Sequence, residues 1–388
     1  MEAVLGGSNA TRRSGSRGRR GLVAIAAGAL IAGTPATLAQ AHDEDDHLRT
    51  VTDGLDGPRG LAVLSSKKFV VAEGDGTFSL VKKGRHGHDA KVTELGSVPP
   101  GFIAPALDVG RHGTVYILTT GGPPGTGAAT LYKWRPGYAE PRVLADIAAY
   151  QAGDPDPDDL EGHPEESNPF GVAALKDGTV LVSDAAGNDL LRVYRNGDIK
   201  TVARLKPRVV KVPAGLPEVD PEGNPTNLPP AGTRLPSEGV ATSVTVGDDG
   251  YWYVGELRGF PATPGKSQIW RIKPGSTNAV CDPEKPYKGK CKRYADGLTS
   301  IVDLAADDDD NIYALELSKK SWLQWELGVE DGEIGGLFKV SRHGKKIREL
   351  VEDQLILPGN VDIGRDDKIY VTGPVFGPGA ISRVVHDD

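Results

Sequence analysis

The stretch "SNPFGVAALKDGTVLVSDAAGNDLLRVYRNG", Ser167 to Gly197, decides the fold. It holds a short apolar run, a Lys-Asp-Gly turn, a second run rich in β-branched residues, a polar turn, and a third run centred on Arg192. Short runs of this kind, bounded by Gly and Asp, are consecutive antiparallel strands. Taken alone, "SDAAGND" also has the look of a catalytic loop. Whether it is a site or a structural unit depends on whether it recurs.

It does recur. "GLAVLSSKKFVVAE" from Gly60, "ALDVGRHGTVYILT" from Ala106, "SVTVGDDGYWYVGE" from Ser243, "IVDLAADDDDNIYALE" from Ile301 and "NVDIGRDDKIYVTG" from Asn360 repeat the strand–turn–strand unit of Gly171 to Asp184. A third strand follows each: "FSLVKKG", "LYKWRPG", "LLRVYRNG", "IWRIKPG", "LFKVSRHG" and "ISRVV". Weaker fourth strands close five copies ("KVTELG", "PRVLAD", "IKTVARL", "KRYADG", "KIRELVE"), while the sixth ends with the chain. Its missing strand is supplied by "HLRTVTDG", His47 to Gly54, ahead of the first copy. The expected fold is therefore all-β: a six-bladed β-propeller closed by N- and C-terminal strands in one blade, which leaves no sheet open at the ring's seam.

Composition agrees. The chain has 388 residues with 51 Gly, 29 Pro, 38% hydrophobic residues and a formal charge of −8. That suits a turn-rich globular domain with ample length for a core. The acidic balance argues against a nucleic-acid partner, since phosphate binding needs a basic face.

The first forty residues differ. Arg12, Arg13, Arg17, Arg19 and Arg20 precede the apolar run "GLVAIAAGALIAG", and Ala39-Gln40-Ala41 offers a small-x-small cleavage point. That order is a secretory signal peptide over residues 1–41, with the propeller over 42–388. "RRGLV" also fits a loose twin-arginine pattern, so Sec and twin-arginine export both stay open. The apolar run falls short of the about 20 residues of a span, and no second one follows. A secreted, monomeric protein without a membrane span after cleavage is expected. Cys281 and Cys291 are the only cysteines. In an exported chain they pair, and "CDPEKPYKGKC" reads as a stapled surface loop.

Strand direction alternates within a blade, so the short first-to-second turns share one face with the third-to-fourth turns. The long insertions, Gln151–Ser167, Lys206–Val240 and Leu317–Gly335, fall on the other face, where binding is expected. Residues just before each first strand should line its channel mouth: Arg59, Asn168, Phe170, Thr242, Ser300 and Asn360. Asn168, Asp184, Asp189 and Glu256 are oxygen ligands that could hold Ca²⁺ there, and no other cofactor suggests itself.

Other motifs carry less. "DPDPDDLEGHPE", Asp154 to Glu165, spaces carboxylates as a calcium loop does, yet Asp159 replaces the required Gly and prolines intervene. It reads as a solvated acidic loop. The acids ending the second strands (Glu73, Asp184, Glu256, Glu316) and the bases of the third (Lys133, Arg192, Arg271, Lys339, Arg383) recur too regularly for a site, and read as pairs at blade edges. His163 is a lone histidine on the favoured face, and His86 and His88 face solvent in a turn. "SWLQWELGV" places Trp322, Trp325 and Val329 on one face of a short helix, packed over a blade or else an aromatic platform for a sugar or pigment. No nucleophile elbow, zinc motif or phosphate loop occurs.

"LDGPRGLAV", "ESNPFGVAAL", "VSDAAGNDLLRV", "VATSVTVGDDGYWYVGELRGFP" and "LTSIVDLA" together resemble the ScyD/ScyE family of exported propellers, within the broader NHL-like superfamily, from about residue 48 onward. The family takes its name from members associated with making the cyanobacterial pigment scytonemin. It has no settled catalytic residues, so none is carried over. The resemblance implies a binding or scaffold protein of the envelope or extracellular space, its partner a small molecule, a glycan or an envelope protein. The alternative is an extracellular calcium-dependent hydrolase or lactonase working on the loop-rich face.

Overall fold

The computed structural model describes residues 46–84, 90–122 and 125–385. The export signal expected over residues 1–41 and the turn carrying His86 and His88 lie outside the described residues.

Alternating apolar residues become strands, and the strands form six antiparallel sheets, each the successive strands of one repeat. Blade one is Leu61–Ser65, Lys68–Ala72, Thr77–Lys82 and Lys91–Ser97; blade two is Ala106–Val109, Val115–Leu118, Thr130–Trp134 and Arg142–Asp146. Blade three is Pro169–Ala174, Val180–Asp184, Asp189–Val193 and Ile199–Leu205. Blade four is Ala241–Val246, Trp252–Glu256, Ser267–Ile272 and Cys291–Leu298; blade five is Ile301–Ala306, Ile312–Glu316, Gly336–Val340 and Ile347–Leu350. Blade six combines Asn360–Ile363, Ile369–Gly373 and Pro378–Val385 with the N-terminal strand His47–Asp56, which runs antiparallel to the last. The expected closure is present. The first strands adjoin one another in a closed circuit around the axis.

Burial follows from this stacking. Both faces of an inner or middle strand meet a neighbouring blade, so the second strands of blades two to five are buried at every residue. Outermost strands such as Lys91–Ser97 and Arg142–Asp146 keep mostly exposed or half-buried positions. Aromatic edges interlock between blades, Phe78 against Trp134 at 5.8 Å and Phe69 against Tyr370 at 4.9 Å between centroids. Such edge-to-face pairs contribute about 1 kcal/mol beyond the area they bury.

The recurring charges do pair, with partners other than those expected. Third-strand cations reach the first-to-second turn of their own blade. Arg192 meets Asp177 at 2.5 Å, Arg271 meets Asp249 at 2.7 Å, and Lys339 lies 3.7 Å from Asp307. Second-strand acids instead accept backbone N–H groups: Glu73 from Asp56 at 2.9 Å, Asp184 from Asn168 at 2.8 Å, and Glu316 from Thr299 at 2.6 Å. Three of these acids thus clamp the chain where it turns into its blade.

Blade three carries a fifth strand, Ala279–Cys281, donated by the third-to-fourth connection of blade four and lying parallel to Ile199–Leu205. The disulfide Cys281–Cys291 joins that strand to blade four's last. Both cysteines are buried, in one apolar cluster with Ala173, Val202 and Trp252. The expected stapled surface loop is present. The pairing holds, but the cystine sits in the seam between blades three and four, and only the residues between the cysteines reach solvent. A second departure is the hairpin Arg208–Lys211 with Arg234–Ser237, tied to blade four by both terminal nitrogens of Arg208 on Asp296 at 2.8 and 3.1 Å.

Replacing both cysteines by Ala should lower stability by about 2–3 kcal/mol, the entropic value for a loop of this length. Denaturant melts of oxidised wild type and variant measure it; equal midpoints would show the cystine to be dispensable.

Candidate functional site

Six loops or strand ends converge where the chain turns into the first strands, and their polar side chains turn out to be largely committed. Arg59 enters from blade one. Its guanidinium donates to Ala104 O of blade two at 3.1 Å and to Phe170 O of blade three, and lies 3.8 Å over the Phe170 ring. Arg59 is buried, and burial lowers its pKa to about 10 against the opposing pull of Asp303. It therefore bolts three blades together across the mouth rather than facing a ligand.

The other five residues expected at the mouth divide. Phe170 is buried under Arg59. Thr242 Oγ1 donates to Ile301 O at 2.5 Å, sealing blade four to blade five. Ser300 Oγ accepts from Trp322 N at 3.0 Å and is buried beneath the helix α2 (Trp322–Glu326). Only Asn168 and Asn360 keep partly exposed surface. Asn168 Oδ1 accepts from Gly121 N at 2.9 Å, while Asn360 Oδ1 is buried without a protein partner. Of the six, Arg59, Phe170, Thr242 and Ser300 are buried and engaged with neighbouring blades or loops.

Helix α2 is the expected aromatic helix packed over a blade, ending before Val329. Ser321 caps it, accepting from Gln324 N at 3.4 Å. Trp322 Nε1 donates to Arg258 O at 2.9 Å, and Trp325 stacks on Phe376 at 5.4 Å with 15° between planes.

Of the four expected calcium ligands, Asp184 and Asp189 pair across adjacent strands with Asn168 beside Asp184, while Glu256 stands on blade four with partners of its own. Asp184 is fully buried; its carboxylate accepts from Ser167 Oγ at 2.6 Å, Asn168 N at 2.8 Å, and Ala186 N and Gly187 N at 3.1 Å. Asp189 accepts from Gln151 Nε2 at 3.2 Å through one oxygen and has no partner on the other. Burial, then the neighbouring Asp184, pushes its pKa well above the carboxylate range. Glu256 is engaged elsewhere. It accepts from Arg258, from Gln268 N at 3.1 Å and from Trp270 Nε1 at 2.5 Å, all buried. Among the described residues no three acidic, His or Cys side chains are spaced to hold a metal. A buried carboxylate with three donors is stabilised in place and has little left to give a cation.

The acidic insertion is less solvated than its composition implies. Asp156 is buried, accepting from Asp158 N and Asn188 Nδ2, both at 2.9 Å. Asp154 pairs with Arg204 at 2.7 Å, and Asp159 accepts from Gly162 N at 2.7 Å within its own turn. Sequence inspection missed Glu238, which accepts from Leu160 N at 2.7 Å. Burial raises its pKa to about 7, with Glu161, Asp156 and Asp159 adding to the effect. Its one sequence signal was a position at the end of the long insertion beside blade four. His163 is exposed beside Glu166 at 3.6 Å.

Two further acids titrate near neutrality on the inner strands. Asp303 accepts from Val361 N at 2.8 Å and Asp362 from Val63 N at 2.6 Å, and burial raises both to about 7. Each bridges one inner strand to the free edge of the next.

No protein-family model matches the chain, and no curated protein matches it. Solved structures similar to it include the PQQ-bound aldose sugar dehydrogenase of Streptomyces coelicolor, at 13% identity and TM-score 0.51, covering 89% of this chain and 100% of that one. The apo-form soluble aldose sugar dehydrogenase of Escherichia coli follows at 13% and 0.52, covering 88% and 99%. A gluconolactonase of Xanthomonas campestris stands at 12% and 0.50, covering 87% and 89%. At these identities the likeness is one of fold: the six-bladed propeller.

Two outcomes follow from the buried charges. Arg258→Ala should cost about 3–5 kcal/mol, because it strands Glu256 without its counter-charge, and Glu256→Gln should cost less; denaturant melts give both values. Acids whose folded pKa is raised stabilise the fold fully below their ordinary value near 4, and lose that contribution as pH rises through the folded value. With Glu238, Asp303 and Asp362 near 7, Tm should fall between about pH 5 and about pH 8, and Glu238→Gln should flatten part of the slope. A Tm that rises over this range would contradict the assignment.

Proposed function

We propose that this chain is an exported binding scaffold of the ScyD/ScyE type rather than a metal-dependent hydrolase. The observation that carries the reading is the commitment of its best catalytic candidates. Glu256 is held by Arg258, Gln268 and Trp270, and Asp184 by four donors, so neither has the free oxygens of a calcium ligand or general base. The leader-like residues 1–41 support export, as does the cystine, which persists in oxidising compartments. No described helix is long and apolar enough to cross a membrane. The binding surface is the loop-rich face, where Asn168 and Asn360 retain exposed area and Asn360 Oδ1 has no partner of its own. A small molecule, a glycan or an envelope protein would meet that face; the competing reading places lactone hydrolysis there.

Expression of the full chain in an exporting host tests the reading. The secreted product should begin near His42, and its Tm should be unchanged within about 1 °C by EDTA or added Ca²⁺, since a ligand that binds only the folded state raises Tm. Lactone and ester hydrolysis should stay at background, and the protein should co-sediment with isolated cell-envelope material. Turnover abolished by Glu256→Gln, or an EDTA-induced fall in Tm restored by calcium, would establish the hydrolase instead.

A further inference from the structure

The loop between the two cysteines differs from the third-to-fourth turns of blades three and five. Blades three and five make this connection in the short turns "YRNGD" and "SRHGKK". Blade four uses a longer one, "CDPEKPYKGKCKR", and its tip contributes nothing to the core, for residues 284, 285 and 287–290 are exposed. In a chain of formal charge −8, this segment sets Lys285, Lys288, Lys290, Lys292 and Arg293 against only Asp282 and Glu284. Exposed Lys273 adjoins it, its N–H donating to Lys290 O at 2.9 Å.

Three of the segment's cations have no ion pair among the described residues. Among the described residues, the one ion pair made by the segment's lysines joins Lys285 to Asp282 at 3.9 Å. Lys288, Lys290 and Lys292 make none. Arg293 is turned inward, pairing with Asp296 at 3.0 Å and lying 5.5 Å from the centroid of Tyr287. Tyr287 itself is 68% exposed, the most exposed large apolar side chain described. The backbone is nevertheless ordered by the cystine and by Lys288 N donating to Lys285 O at 3.1 Å and Arg293 N to Pro286 O at 2.6 Å. Three like charges held close together repel one another, and a rigid display of them meets an anion with little further loss of conformational freedom.

We propose that this disulfide-anchored loop, on the face opposite the loop-rich one, is a docking surface for an acidic polysaccharide. Gly289, at a φ of +79°, turns the chain between Lys288 and Lys290, and Lys292 follows just past Cys291, so three cations fall within five residues of one bent loop, suited to a polymer with repeated carboxylates. The open Tyr287 ring offers a flat apolar surface for a sugar face. A membrane fits less well, because the loop presents no Leu, Phe, Trp or Ile to enter the acyl region. The inference does not depend on what binds the opposite face, so it stands or falls separately from the proposed function.

Affinity electrophoresis of the full, oxidised chain through gels containing polygalacturonate tests it, with dextran as the neutral control. Wild type should be retarded by polygalacturonate alone, less so as salt rises. The variant Lys288→Gln/Lys290→Gln/Lys292→Gln should bind about tenfold more weakly, as expected for three screened contacts, with unchanged Tm. Lys67→Gln/Lys68→Gln, on blade one, should bind as wild type does. No retardation, equal retardation of the triple variant, or equal loss in the blade-one variant would each overturn the proposal. So would vesicles of phosphatidylglycerol and phosphatidylcholine that bind the chain as tightly as the polymer.

Discussion

Everything in this protein depends on closing six inner strands into a ring. At the axis the strands approach until backbone meets backbone. A Cβ on Gly60 would lie 2.7 Å from Leu107 N and Pro105 O, and one on Gly171 would lie 2.8 Å from Ser243 Cα. These glycines let blade one touch blade two and blade three touch blade four. The remaining junctions are sewn by side chains. Asp108 accepts from Ala174 N at 2.7 Å between blades two and three, Thr242 seals four to five, Asp303 joins five to six, and Asp362 joins six to one. A free-edge N–H facing a narrow axis has no strand partner, and a carboxylate from the next blade satisfies it.

That constraint accounts for the raised pKa values of the inner-strand acids. An acid that must satisfy a backbone N–H in a dry ring is raised in pKa by desolvation while being held in place by the same hydrogen bond. Perturbed titration is common at catalytic centres, yet structural networks perturb it equally. Here Asp303 and Asp362 lie on the inner circuit, while Asp156, Glu161 and Glu238 gather at the acidic insertion. Arg59 reaches across the same circuit from blade one to the carbonyls of blades two and three, and its aliphatic and planar surfaces pack on Phe170. The mouth is closed by the groups that hold it together.

Most of the architecture was legible in the sequence because local pattern specifies local pairing. "GVAALKDGTVLVSD" must be two antiparallel strands, six such units must form a closed ring, and a copy short of one strand must borrow "HLRTVTDG". What stayed illegible depends on residues far apart in the chain. Nothing in the spacing of Cys281 and Cys291 shows that Ala279–Cys281 will leave its own blade and lengthen blade three. Nothing near Arg258 shows that it will neutralise Glu256 while its carbonyl receives Trp322. The candidate site suffered most. Arg59, Phe170, Thr242 and Ser300 were placed correctly at the strand starts, but whether such positions line a hole or fill it depends on the side chains opposite.

Symmetry separates what the fold requires from what it merely tolerates. Every blade needs four strands, a clamp at its inner strand and apolar middle strands, and blades one and six have little more. The additions run from the junction of blades two and three to blade five: the capped helix Ile147–Gln151 with its acidic loop, the Arg208 hairpin, the cystine loop and the helix Trp322–Glu326. These segments cost ordering entropy, and the blades lacking them close equally well. Their concentration on one half of the ring leaves the molecule two distinct edges, one built by the bare repeat and one dressed on both faces. Structure alone accounts for the first. The additions, acidic loops on one face and exposed lysines on the other, are departures from the repeat that closing the ring does not require.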